Sequence, residues 1–131
     1  MPMRPIPTVV LLAVLTLLLA TGCARERGPL EVADLTAAER RFVTRYVVLE
    51  RARAVALADP AAGTGLLDSL RAAWGDSAAA VARADMPARP ARAAAVQDLL
   101  QRLLAAESDS LVHAPRPDRL DAPLPTPAPS S

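Results

Sequence analysis

The chain carries few side chains whose types and spacing suit chemistry. Cys23 is its only cysteine and His113 its only histidine. His113 sits where a helix gives way to a proline-rich end, and a lone exposed histidine lacks the partners of a general base or a metal site. Ser69, Ser77, Ser108, Ser110, Ser130 and Ser131 have no base partner except that histidine, and Ser110 is merely near it in sequence. Glu107 and Asp109 form a small acidic cluster with Asp98 a few turns earlier. Hydrolytic carboxylate pairs face each other across a cleft, whereas this pattern reads as a solvated helix end; a bound cation is the alternative. Gly63-Thr64-Gly65 lacks both the lysine and the spacing of a phosphate-binding loop. The expectation is a protein with no catalytic residue and no metal site. Arg53 is the odd charge, lying on the meridian of Leu35 amid the apolar face of the first helix, where an unpaired guanidinium is costly. It snorkels to the edge of the fold, pairs with Glu50, Asp68 or Asp76, or binds a ligand.

That leaves the thiol. Val9 to Ala20 is a run of twelve residues, apolar except for Thr16, and as a helix it reaches only about 18 Å, too short for a bilayer core. Arg4 and the free amine precede it; Ala20, Thr21 and Gly22 follow. A positive start, a short apolar run and small residues make residues 1–22 a secretory signal peptide, and an unpaired cysteine in an exported chain calls for an explanation.

The stretch Leu19-Ala20-Thr21-Gly22-Cys23 resembles the bacterial lipobox, with Ala20 standing where leucine is commonest. The resemblance implies cleavage between Gly22 and Cys23, a thioether from Cys23 to diacylglycerol, and an acyl chain on the new amine. No other cofactor is expected. Two or three acyl chains make membrane attachment effectively permanent. The implied location is the bacterial cell envelope, facing the periplasm. Ala24 stands where enteric lipoproteins retained in the inner membrane carry aspartate, which favours the outer membrane.

Without residues 1–22 the chain has 109 residues, enough for one small domain. All its basic residues are arginine, and fourteen then face fourteen acidic residues, a net charge of zero. Such a balance offers nothing to nucleic acid. With Cys23 modified no disulfide forms, so the fold stands on packing. Phe42, Tyr46 and Trp74 are the only aromatics, which argues against a β-rich or sugar-stacking module.

Residues 23–34 read as a lipid-anchored tether and residues 35–113 as a helical bundle. Thr36 and Glu39 offer a capping box for a long helix to about Ala58, with Leu35, Phe42, Tyr46, Leu49 and Leu57 on one face. Asp59-Pro60 ends it. Residues 61–65 read as a loop, with Thr64 as the next cap. The second helix runs to Trp74 with Leu66, Leu67 and Leu70 at helical spacing, and Gly75 is its C-terminal cap. Asp76 then caps a short alanine-rich helix. The last helix, about Pro90 to Val112, has the clearest stripe: Val96, Leu99, Leu100, Leu103, Leu104 and Leu111. Asp98 and Arg102 pair on its wet side. Residues 114–131 are proline-rich, and the expectation is a disordered or polyproline-like tail whose removal leaves stability unchanged.

The fold class is therefore all-α, a small antiparallel bundle of three main helices plus a short one. The body resembles small helical bacterial lipoproteins of unknown function. The shared features are the lipobox, about a hundred residues, a long first helix with a tyrosine, and a turn such as Trp74-Gly75-Asp76-Ser77.

Two function classes remain: a non-enzymatic adaptor or accessory protein held at a membrane, or a carrier of a small apolar ligand or lipid between helices. Large apolar side chains are few and alanine fills much of the interior, so cavities should be small, favouring the adaptor. Val48 and Val55, opposite the Leu35–Phe42–Leu49 stripe, are the candidate partner surface, with Arg41, Arg45 and Arg51 as its rim. Either they meet an envelope protein or a second copy, or the rest of this chain buries them.

Overall fold

Thr36 starts the first helix. Its hydroxyl accepts the Glu39 N–H at 3.2 Å while its own N–H donates to the Glu39 carboxylate at 2.9 Å, so two donors orphaned at a helix start are satisfied reciprocally. The computed structural model describes residues 28–75 and 77–127; the expected signal peptide, with Gly22 and Cys23 at its cleavage site, lies outside them. Helix α1 is Ala37–Ala58, α2 Pro60–Trp74, α3 Ala78–Arg83 and α4 Pro90–His113, with 3-10 turns at Val32–Asp34 and Pro117–Arg119. Among the described residues there is no strand.

Asp59 does two jobs. It ends α1, its N–H donating to the Val55 carbonyl at 2.7 Å, and it caps α2, its carboxylate accepting from the Ala61 and Ala62 N–H groups. Pro60 fills the first helical position, where a missing N–H costs nothing. The loop expected at residues 61–65 is thus the first turn of α2. Thr64 is no cap: its hydroxyl donates back to the Pro60 carbonyl at 2.7 Å. Gly75 adopts φ +95° at the end of α2, a conformation that disfavours any side chain. Ser77 caps α3, accepting from the Ala80 N–H at 3.3 Å; Asp76, the cap expected from the sequence, lies outside the described residues.

The ion pairs fix the topology. Glu39 meets Arg92 and Arg51 meets Glu107, so α1 and α4 run in the same direction with matched register. Asp59 turns α2 back along α1, and α3 returns the chain to the starting end, where Asp85 meets Arg41 and Arg45. The result is an up-down-up bundle with α2 antiparallel to α1, and α1 packs on each of the other three helices.

A central helix cannot have one dry face. Phe42, Val43 and Val47 pack against Val96, Leu99, Leu100 and Leu103 of α4. Further along, Ala52 and Val55 pack with Leu66, Leu67 and Leu70 of α2 and with Leu120. The buried side of α1 therefore turns through roughly half a circumference along its length, as successive residues step round by about 100°. This displaces two expectations. Leu57, placed with Phe42 on the core face, is 88% exposed, because by the end of α1 the buried side has turned from α4 towards α2. Val55 is buried and Val48 half-buried, both under α2; the candidate partner surface is internal core.

The domain also reaches beyond residues 35–113. Leu30 and Val32, assigned to the tether, pack on the α1–α4 core, as does Leu124. Leu120, assigned to the disordered tail, is buried. The start of the proline-rich segment is therefore docked structure.

The α1–α2 hairpin closes tightly at Gly63, which is buried; a Cβ there would collide with the backbone of Ala56. Gly63→Ala is expected to lose about 1–3 kcal/mol. Gly65→Ala, where a Cβ meets open space, should gain up to ~1 kcal/mol from helix propensity. Urea titrations of the two variants test this contrast, and equal effects would contradict the packing.

Candidate functional site

The most concentrated polar chemistry in the described residues centres on Arg51. It occupies the i+4 position after Val47 and the i+8 position after Val43, which places it on the core-facing stripe of α1. Its side chain is 4% exposed and that of Glu107 is 6% exposed. Glu107 stands where the α4 stripe Leu100–Leu103 would continue, so the two stripes deliver opposite charges to one buried point. The pair is bidentate: Nε donates to Oε2 at 2.9 Å and Nη2 donates to Oε1.

The three remaining guanidinium protons go to main chain. Nη1 donates to the Leu120 carbonyl at 3.2 Å and the Ala122 carbonyl at 2.7 Å, and Nη2 donates to the Pro123 carbonyl at 3.1 Å. All five donors of the guanidinium fork are thus used. This explains the docked tail. A segment holding Pro115, Pro117, Pro123 and Pro125 is short of N–H donors for its carbonyls; beyond those bonded in the 3-10 turn, Arg51 supplies donors for three of them. Leu120 enters the α1–α2 seam and Leu124 the α1–α4 core. No buried side-chain nitrogen or oxygen among the described residues is without a partner.

A second clamp holds the other end. Arg92 donates through Nε and Nη2 to the Glu39 carboxylate, each at 2.7 Å, and through Nη2 to the Asp34 carbonyl at 3.0 Å. Arg102 pairs with Asp98, as the spacing predicts, and also donates to the Leu30 carbonyl. The entering chain is therefore pinned along α4 as the leaving chain is pinned along α1.

The Arg92 hydrogen bonds hold the Glu39 carboxyl down from 4.5 to about 2, aided by the Thr36 N–H and opposed by burial. The unfolded chain takes up this proton near its ordinary pKa and the native chain does not. Stability is consequently complete above pH ~4.5 and falls towards pH 2, by on the order of 2 kcal/mol from this group. Asp85, lowered by its Arg41 hydrogen bond, acts with the same sign. Glu39→Gln should be less stable at pH 7 and show a flatter acid limb in urea titrations from pH 7 to 2.5; an unchanged limb would contradict the role of this carboxylate.

The other candidate residues fall apart. Arg53 is exposed and pairs with Glu50 one turn earlier, one of the three partners weighed for it; the buried arginine is its neighbour Arg51, which had been placed on a wet rim. Glu107 likewise belongs to the core rather than to a solvated helix end. His113 pairs with Asp109 at 3.0 Å in the open, and Ser110 accepts from Arg119 rather than meeting the histidine. Among the described residues no group of three or more histidine, cysteine, aspartate or glutamate side chains could hold a metal ion. The recess beside Arg51 and Glu107 measures about 10 Å³, room for one water. A larger recess of about 440 Å³ among Val32, Arg40, Thr44, Asp121 and Leu124 is open to solvent.

No protein-family model, curated protein or solved structure matches this chain. Among the described residues no helix is long and apolar enough to cross a membrane.

Proposed function

We propose that this protein is a lipid-anchored lipoprotein of the bacterial envelope that works as a non-enzymatic adaptor or accessory protein. The observation that carries this reading is Leu19-Ala20-Thr21-Gly22-Cys23 at the end of a short apolar run: it accounts for the chain's only thiol and for its position. The structure supports it in one further respect. The first pinned residue, Leu30, lies seven residues after Cys23, so the domain stands within about 25 Å of its anchor. The open recess beside the docked tail includes Arg40, Arg51 and Asp121 in its lining, and the one beside Arg51 and Glu107 holds about 10 Å³, which supports an adaptor over a carrier of apolar ligands. The surface left for a protein partner is the far end of the bundle, where α1 and α4 finish in matched register and Leu57 and Val112 are exposed.

The test is metabolic labelling with palmitate in a host that processes lipoproteins. Wild type should take up label and partition with membranes. Cys23→Ser should do neither, and label retained by the serine variant would refute the anchor.

A further inference from the structure

Arg83, Met86 and Arg89 lie at the end of the bundle where the chain enters from its tether. Asp85, between them, is bound to Arg41 and Arg45 near the start of α1, which fixes the α3–α4 loop at that end. Gly28 and Pro29 share an open recess with Ala91, Arg92 and Ala95, the first turns of α4. The tether therefore leaves the domain beside Arg89. From Gly28 to Cys23 is five residues, a reach of at most about 18 Å. An acylated Cys23 holds this end against the bilayer surface and turns the Leu57–Val112 end away from it.

The loop presents suitable chemistry. Met86 is 37% exposed, in contrast to the buried apolar side chains of the core. Arg83 and Arg89 flank it, both exposed, and neither meets a carboxylate among the described residues. The only carboxylate in the loop, Asp85, is occupied by Arg41 and Arg45 and held below its ordinary pKa by the first of them. The tether adds Arg25 and Arg27 against Glu26. An apolar, unbranched side chain between two exposed guanidinium groups suits the interface of an anionic bilayer, where arginine meets phosphate and the thioether enters the acyl boundary.

We propose that the α3–α4 loop is a second membrane contact, Arg83 and Arg89 engaging the phosphates of anionic lipid headgroups while Met86 enters the interface. This rests on the anchoring of Cys23. The contact holds the domain in one orientation, which a single acylated residue at one end of the chain cannot do alone.

The test uses the full, processed chain carrying Ala88→Cys, whose introduced thiol takes an environment-sensitive fluorophore while the Cys23 sulfur is blocked by its thioether. The labelled protein is reconstituted into vesicles of phosphatidylcholine, with or without phosphatidylglycerol. The expected result is a blue-shifted probe, quenched by a lipid-resident quencher, in the anionic vesicles. Each arginine should contribute about a fivefold preference for anionic over neutral lipid. Raised salt and the Arg83→Gln/Arg89→Gln variant should both abolish the preference, and a probe at Leu57→Cys should show none. Protein that floats with both vesicle types, its loop probe indifferent to lipid charge or no different from the Leu57 probe, keeps the anchor and overturns the loop contact. Protein that floats with neither overturns the anchor and this proposal together.

Discussion

Glu107→Ala should lower folding stability by about 3–5 kcal/mol, because it leaves the Arg51 guanidinium buried without its counter-charge. Arg51 is 4% exposed, so water cannot replace the carboxylate unless the tail lifts away. The three carbonyl acceptors remain, but neutral acceptors do not balance a buried charge. The double variant Arg51→Met/Glu107→Leu should recover most of the loss, since well-packed apolar residues often substitute for a buried ion pair without penalty. Urea denaturation of the two singles and the double completes the cycle. Additive losses would show that the side chains are not coupled, contrary to the bidentate geometry.

Deleting residues 116–131 is the second large effect, and it reverses the expectation from composition. A solvated proline tail would leave stability unchanged. Here the deletion strips three acceptors from Arg51, at about 1–3 kcal/mol for donors left unmet, and removes Leu120 from its seam with Ala52 and Val55, a burial worth ~1.5–3 kcal/mol. The sum overstates the loss, because water enters the uncovered site, so a fall of about 2–4 kcal/mol is expected. Deleting only residues 128–131 should change nothing measurable. A melt of the longer truncation that overlays wild type would mean the segment does not dock.

These two effects also mark where sequence reading ends. The Thr36–Glu39 box, the end of α1 at Ala58, the Gly75 cap and the Val96–Leu103 stripe are local patterns. Local hydrogen bonding and 3.6-residue periodicity determine them, and they were legible. Arg51 was not, because a helical wheel assumes one core face, while the central helix of a bundle turns its buried side along its length. The signal that places Arg51 and Glu107 correctly is the i+4 spacing from Val47 and from Leu103. The docked tail leaves no periodic trace, since what Arg51 binds there is backbone carbonyl, which every residue has. The start of α2 was readable in Asp59-Pro60, a cap followed by a first-position proline, once the pair is taken as a beginning as well as an end.

The proposed anchoring of Cys23 bears on function more than any contact within the bundle. The most direct test is the intact mass of the protein extracted from membranes of a host that processes lipoproteins, with fragmentation of its N-terminal peptide. The predicted chain begins at Cys23 and carries diacylglycerol on the Cys23 sulfur. A chain that begins at any other residue, or an unmodified thiol at Cys23, would contradict it.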